Sequence, residues 1–202
     1  MSEESQSSEV PTAFTEVVHS FAQLPENRRL VAAYEFARDI AYGDIGSRNP
    51  FDVLAAHKGT CSGKHALLKL FLEHLGYDVQ SWFAKHNFGA FPITQWPAEL
   101  MEFKDKNIPD YHDFLKVKVG KEWLTIDGVF DKTLVKLGFP ALEWDGKTDM
   151  QLPVIALEIF PAGGDMETHK KKLIGLLPTA YQDQRKKFLS TLTAWLDANR
   201  SS

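Results

Sequence analysis

Residues 111–127 read YHDFLKVKVGKEWLTID, and their alternation decides the fold. Tyr111 to Val119 and Glu122 to Asp127 are strand-like, and a turn around Gly120 joins them into a hairpin. His112 opens the first strand and Asp127 closes the second. In a hairpin with an even-numbered loop, paired positions sum to an odd number. His112 and Asp127 meet that condition, so both side chains leave the same face of the sheet. With Val119-Gly120 as the loop the two stand directly opposite, roughly 5 Å apart at Cβ. With Gly120-Lys121 as the loop they are diagonal, at roughly 7–8 Å. Either separation lets a carboxylate reach an imidazole N–H.

Upstream lies a nucleophile that such a pair can serve. Cys61 sits in Lys58-Gly59-Thr60-Cys61-Ser62-Gly63, where the clearest helix of the chain begins. That helix starts at or just after Thr60, runs through Ala66, Leu67, Leu70, Phe71 and His74 to Leu75, and stops at Gly76. The first turn of a helix offers unpaired N–H groups and the positive end of the dipole, which favour a thiolate there. The Cys61 backbone N–H is a candidate oxyanion donor, and Gly59 permits a close approach from the upstream side. Taken alone, Cys61 reads as a buried structural cysteine, and His112 and Asp127 as surface and turn residues. Taken together, a thiol, a histidine to carry its proton and an acid to orient that histidine form a catalytic set.

Gly59-Thr60-Cys61 before a helix, then Leu75-Gly76-Tyr77-Asp78-Val79 opening a strand, resembles the nucleophile segment of transglutaminase-like domains. The second signature of that superfamily is a His, an aromatic residue two positions later, a Gly-x-x-Trp in the hairpin and a closing Asp. His112, Phe114, Gly120, Trp123 and Asp127 stand at that spacing. Phe114 replaces a commoner Trp, Lys116 stands where an acid is frequent, and Gly128-Val129 follow Asp127 in place of the usual Pro. The resemblance covers roughly residues 30 to 135. It implies a papain-like α+β fold, with a nucleophile-bearing helix packed on an antiparallel sheet that carries the His and Asp. It also implies acyl transfer from an amide or peptide bond through Cys61, His112 and Asp127, with hydrolysis favoured over amine transfer. The expected partner is a peptide, a protein or a small amide. The alternative is a silent domain of the same fold that binds a protein or peptide. In the resembled fold the stretch between helix and hairpin approaches the cleft, which makes Trp82 and Trp96, with Phe114, candidate substrate contacts.

The rest of the chain frames this constellation. Residues 1–11 are polar and acidic and read as a disordered tail, leaving 12–202 as one domain. Helical spacing spans Phe14 to Phe21, and a second helix opens at Pro25 and carries Leu30, Val31, Tyr34, Ala37 and Ile40 before stopping near Gly43. Gly46 to Pro50 reads as loop, Asp78 to Lys85 as a strand, and residues 86–110 as mostly loop with a short helix near Ala98 to Phe103. Val129 to Leu137 predicts a short helix and Val154 to Phe160 a buried strand. Tyr181, Phe188, Leu189, Leu192, Trp195 and Leu196 form a helical stripe behind Pro178. His65 and Lys64 are expected on the exposed or cleft-facing side of the Cys61 helix, and Lys170-Lys171-Lys172 on a solvated helix face.

The formal net charge of −4 gives no support to nucleic acid or an anionic membrane as partner. One cysteine rules out an intramolecular disulfide, and MSEESQSSEV lacks the basic and apolar regions of a signal peptide, so a reducing cytoplasmic setting is expected. His57, Cys61 and His65 recur every four residues, but Gly59 breaks the helix between them and no fourth ligand is evident. Neither a metal nor another cofactor is expected.

Overall fold

The computed structural model describes residues 10–200. The tail expected over residues 1–11 falls outside that range except for Val10 and Pro11. Helices α1 (Thr12–Ala22) and α2 (Glu26–Asp39) lead into β1 (Ala41–Tyr42), α3 (Pro50–Ala56), β2 (Lys58–Gly59) and α4 (Cys61–His74). Strands β3 (Val79–Asn87), β4 (Pro109–Val119), β5 (Glu122–Ile126) and β6 (Glu158–Pro161) follow, then α5 (Met166–Gly175) and α6 (Thr179–Asn199). The four long strands form one antiparallel sheet in the order β5-β4-β3-β6, and β1 and β2 pair in parallel beside it. The α+β arrangement expected from the sequence, a cysteine-bearing helix on an antiparallel sheet, is therefore the arrangement found.

The alternation in β4 separates two cores. Leu115 and Val117, with Leu124 and Ile126 of β5, meet Leu67, Leu68, Phe71 and Leu72 of α4 and the apolar faces of α1 and α2. Phe114 points into a second cluster, where Phe88, Phe91 and Phe130 pack against Phe188, Leu192 and Leu196 of α6. Each of these fully buried side chains contributes about 1.5–3 kcal/mol. Cys61, at the first residue of α4, packs against the second cluster, so the helix is anchored in one core and presents its thiol to the other.

The hairpin register is Val119↔Glu122 through Leu115↔Ile126. It selects Gly120-Lys121 as the loop, with Gly120 at φ 61°, a left-handed value that a two-residue hairpin turn needs and glycine supplies freely. His112 and Asp127 are thus the diagonal pair, with Asp127 just beyond the end of β5.

Glycine acts differently at the start of α4. A Cβ on Gly63 would lie 2.7 Å from Val53 Cγ2, and one on Gly59 2.9 Å from Val53 Cγ1. What approaches Gly59 so closely is therefore Val53 of α3, which wedges under the beginning of the nucleophile helix.

Four local readings are corrected. Loop was expected to Pro50, but α3 follows at once: Asn49 caps it by accepting the Phe51 N–H at 2.8 Å, and Pro50 occupies its first turn. The strand near Val154 to Phe160 is not buried. It is Glu158–Pro161 at the sheet edge, and Ile155, Leu157 and Ile159 are 58%, 68% and 49% exposed. β-branched residues favour a strand, but whether a layer covers it is a tertiary matter. Lys64 and His65 are buried rather than exposed or cleft-facing. Lys64 Nζ donates to the carbonyls of Arg38 at 2.8 Å and of Ile40 and Val129 at 2.7 Å. Its ammonium ties the end of α2 to the segment after β5, and burial pulls its pKa down to about 7. Finally, Lys170 on α5 lies inside the protein, as described below.

No helix among the described residues is long and apolar enough to cross a membrane.

Candidate active site

A cavity of about 390 Å³ opens where the start of α4, the first half of β4 and the helices α5 and α6 converge. Cys61 and His112 both line it. The half-buried thiol of Cys61 comes from the first turn of α4. His112, paired with Ala84 in the sheet interior, is almost fully buried.

Asp127 holds the imidazole. His112 Nε2 meets Asp127 Oδ2 at 2.5 Å, which leaves Nδ1 as the ring nitrogen available to Cys61. The other carboxylate oxygen, Oδ1, accepts the Val129 N–H at 3.1 Å and lies 3.4 Å from His65 Nε2. His65 Nε2 in turn accepts the Gly128 N–H at 3.1 Å. The buried His65 is thus a brace on the loop that carries Asp127, and Lys64 holds the next carbonyl of that loop. Burial alone would lower the pKa of His112. The charge and hydrogen bond of Asp127, and then the neighbouring Cys61, push it up to about 10. The Asp127 carboxyl is held well below the ordinary range despite its burial, chiefly by the charge of His112 and the hydrogen bond it makes with that ring. The imidazolium–carboxylate pair is the resting state of these two groups at neutral pH.

A second carboxylate touches the thiol from another side. Cys61 Sγ donates to Asp113 Oδ2 at 3.2 Å, and Ser62 Oγ donates to the same oxygen at 2.6 Å. Asp113 is fully buried and forms an ion pair with Lys170 of α5. Lys170 Nζ also lies 3.1 Å from Ser62 Oγ and 3.5 Å from Cys61 Sγ. The lysine run expected to face solvent is therefore split. Lys171 is 76% exposed beside Glu167, whereas the Lys170 side chain is only 10% exposed and joins the site. Although burial opposes its charge, Asp113, Cys61 and Asp110 together raise the pKa of Lys170.

His86 forms another wall, its ring perpendicular to that of His112 with centroids 6.2 Å apart. Asp110 lies 3.9 Å from His86 Nε2 and accepts from Arg185 Nε at 2.6 Å. Burial is the main cause that pulls the pKa of His86 down to about 3; Asp110 opposes it, while His112, Lys170 and Arg185 add to it. A histidine whose folded pKa lies below its ordinary 6.5 binds its proton better when unfolded, so its contribution to stability is lost as pH falls from 6.5 through 3. The unfolding free energy measured by denaturant titration is expected to decline already between about pH 6.5 and 4, before most carboxylates titrate. His86→Gln is expected to flatten that limb; an unchanged slope would contradict the assignment.

The residues expected to contact substrate lie elsewhere. Phe114 is buried in the second core, and Trp82 packs near it under the Lys116 ammonium, 4.1 Å from the ring centroid. Trp96 lines a shallow surface depression with Trp195. The aromatic side chains that do line the cavity are Tyr42, Phe88, Phe91 and Phe130. Aromatic crowding between helix and hairpin was visible in the sequence. Trp82 and Phe114 share the face of His112 by strand parity, but they stand two residues along the sheet from the Ala84–His112 pair and pack in the second core. Arg185, His86 and Asp113 went unnoticed, and Lys170 was read as solvated. One signal was present: β4 carries Asp110, His112 and Asp113 within four residues of an otherwise buried strand, and buried charges need partners. Among the described residues no group of three or more His, Cys, Asp or Glu side chains is placed to hold a metal ion.

No family model and no curated protein matches the chain. Among the solved structures similar to it are the following two. One is a "putative cysteine protease" from Cytophaga hutchinsonii, 17% identical with a TM-score of 0.41, the match covering 57% of this chain and 36% of that one. The other is a TGase, 18% identical with a TM-score of 0.41, covering 62% of this chain and 35% of that one. The chain thus spans little more than a third of the length of either.

Proposed function

We propose that the chain is a transglutaminase-like cysteine enzyme that hydrolyses an amide or peptide bond. The observation that carries this reading is the His112–Asp127 pair, held beside Cys61 at the mouth of one cavity. Cys61 Sγ attacks the carbonyl carbon as a thiolate, its proton having passed to His112, which is imidazolium before substrate binds. The carbonyl oxygen becomes an oxyanion that the Cys61 backbone N–H, at the positive end of α4, is placed to stabilise. Collapse expels the amine, which leaves with the proton from His112. Water then attacks the thioester, again giving its proton to His112, and releases the acid and the thiol. Asp127 keeps the imidazole oriented and its charged form stable throughout.

One observation favours a second reading, a silent domain that binds a peptide: the Cys61 thiol donates to Asp113, a contact that retains the proton on sulfur. Alkylation by iodoacetamide, followed by intact mass across about pH 4 to 10, separates the two. The only cysteine is Cys61, so every thiol adduct is assignable. Under the enzymatic reading native protein labels at neutral pH at least about tenfold faster than glutathione, and His112→Ala removes that advantage. Labelling only after denaturation, or a rate indifferent to His112→Ala, would move the assignment to the binding domain.

A further inference from the structure

The cavity around Cys61 is furnished with donors that the hydrolytic steps do not use. Arg48, in the loop before α3, and Arg185, on α6, line it, and both act electrostatically on Cys61 and on Tyr42. Each guanidinium is anchored at one end only. Arg185 gives Nε to Asp110 Oδ1 at 2.6 Å, and neither of its Nη groups bonds to a described residue. Arg48 gives Nη1 to Asp44 Oδ1 at 2.8 Å and to the Ser47 carbonyl at 3.1 Å, leaving Nη2 without a bond to the described residues. An anchored guanidinium with an open edge is preorganised for a carboxylate, because the ordering of a long side chain has already been met by the first partner.

The carboxylates that line the cavity do not compete for those edges. Asp110 is the group that anchors Arg185, and Glu167 is paired with Lys171 at 2.7 Å. Asp113 is taken by Lys170 and Ser62. Phe88, Phe91, Phe130 and Leu189 add an apolar part to the lining. A volume of about 390 Å³ admits a small amide or a few residues of peptide rather than a folded chain.

We infer that the cavity takes an amide or short peptide that bears a carboxylate near the scissile bond, held by the open guanidinium edges of Arg48 and Arg185. This rests on Cys61 being the nucleophile. The carboxylate supplies the complement to both edges, and the apolar part of the substrate covers the phenylalanine wall. The recognition lies on the loop and on α6, outside the His112–Asp127 machinery.

The test compares N-iodoacetylglycine with N-iodoacetylglycinamide, probes that alkylate Cys61 through the same iodoacetamide carbon, lose the same iodide and differ in one negative charge. The acid-to-amide rate ratio, divided by the same ratio for glutathione, is expected to be about tenfold or more, as one charge-assisted bidentate contact supplies. It is expected to fall several-fold in Arg48→Gln and in Arg185→Met. Because Arg185→Met also strips Asp110 of its partner and can unfold the chain, the ratio is also read in the unaltered protein from about 20 to 500 mM salt, where screening must lower it. A normalised ratio near one, or a ratio that ignores both salt and Arg48→Gln, overturns the inference. Loss of labelling by both probes alike would instead count against Cys61 as an activated nucleophile, so the two failures are distinguishable.

Discussion

Asp127→Asn is expected to move the titration of His112 from about 10 to below its ordinary 6.5. The substitution removes the charge and keeps the shape: an amide oxygen at Oδ1 still accepts the Val129 N–H. What then dominates around His112 is burial, the largest single influence on it, which disfavours the imidazolium against the smaller opposing effect of Cys61. NMR of the ring protons across pH 5 to 10.5 reads the change directly. Turnover on any substrate identified for the protein is expected to fall by roughly 10⁴-fold, because the imidazole then neither holds its proton nor keeps its orientation. Stability follows the same linkage. A histidine whose folded pKa is raised above 6.5 contributes stability that is complete below pH 6.5 and lost as pH rises through about 10. Relative to Asp127→Asn, the unaltered protein should therefore lose stability through that alkaline window, the opposing gain from Lys64, whose folded pKa is about 7, being common to both. A His112 titration unmoved by the substitution would end the case for this pair.

The second large effect is expected at Lys170. Lys170→Met leaves Asp113 charged, fully buried and without its cation, with Ser62 and the Cys61 thiol as its remaining donors. Its Oδ1 atom already lacks any partner. Breaking a buried pair from one side costs about 3–5 kcal/mol, far more than a surface pair, which contributes about 1 kcal/mol or less. For a chain of this size that is a drop in Tm on the order of 10 °C. Lys171→Met on the same helix, at an exposed pair, should shift Tm by no more than a few degrees. Joining Asp113→Asn to Lys170→Met is expected to restore much of the loss, since no unpaired charge then remains. If Lys170→Met behaved like Lys171→Met, Lys170 would have to be solvated, and α5 would not be closed over the site.

What was legible in the sequence was what is local or periodic. Hairpin parity put His112 and Asp127 on one face, and either loop gave a reachable pair; the register needed the structure, because Val119-Gly120 and Gly120-Lys121 satisfy the same arithmetic. The start of α4 was readable from its apolar spacing, so Cys61 could be placed at a helix N-terminus. The short α3 was missed although Asn49 caps it, and α5 was read only as a helix face around Lys170 without its bounds or its Asp165 cap, because seven to ten residues give a weak period.

Spacings within a single helix or hairpin determined the place of Cys61 at a helix start and the pairing of His112 with Asp127, and the resemblance those residues carry implied the α+β plan. Only the tertiary structure decided which charges join them. Lys170 lies 57 residues from Asp113, Arg185 lies 75 from Asp110, and Lys64 lies 65 from the carbonyl of Val129. A lysine on a short helix reads as solvated until another element closes over it, because local sequence carries no term for desolvation. Burial then reverses its meaning: a charge that is nearly inert at the surface must find a partner inside, and here the partners it finds surround the thiol of Cys61.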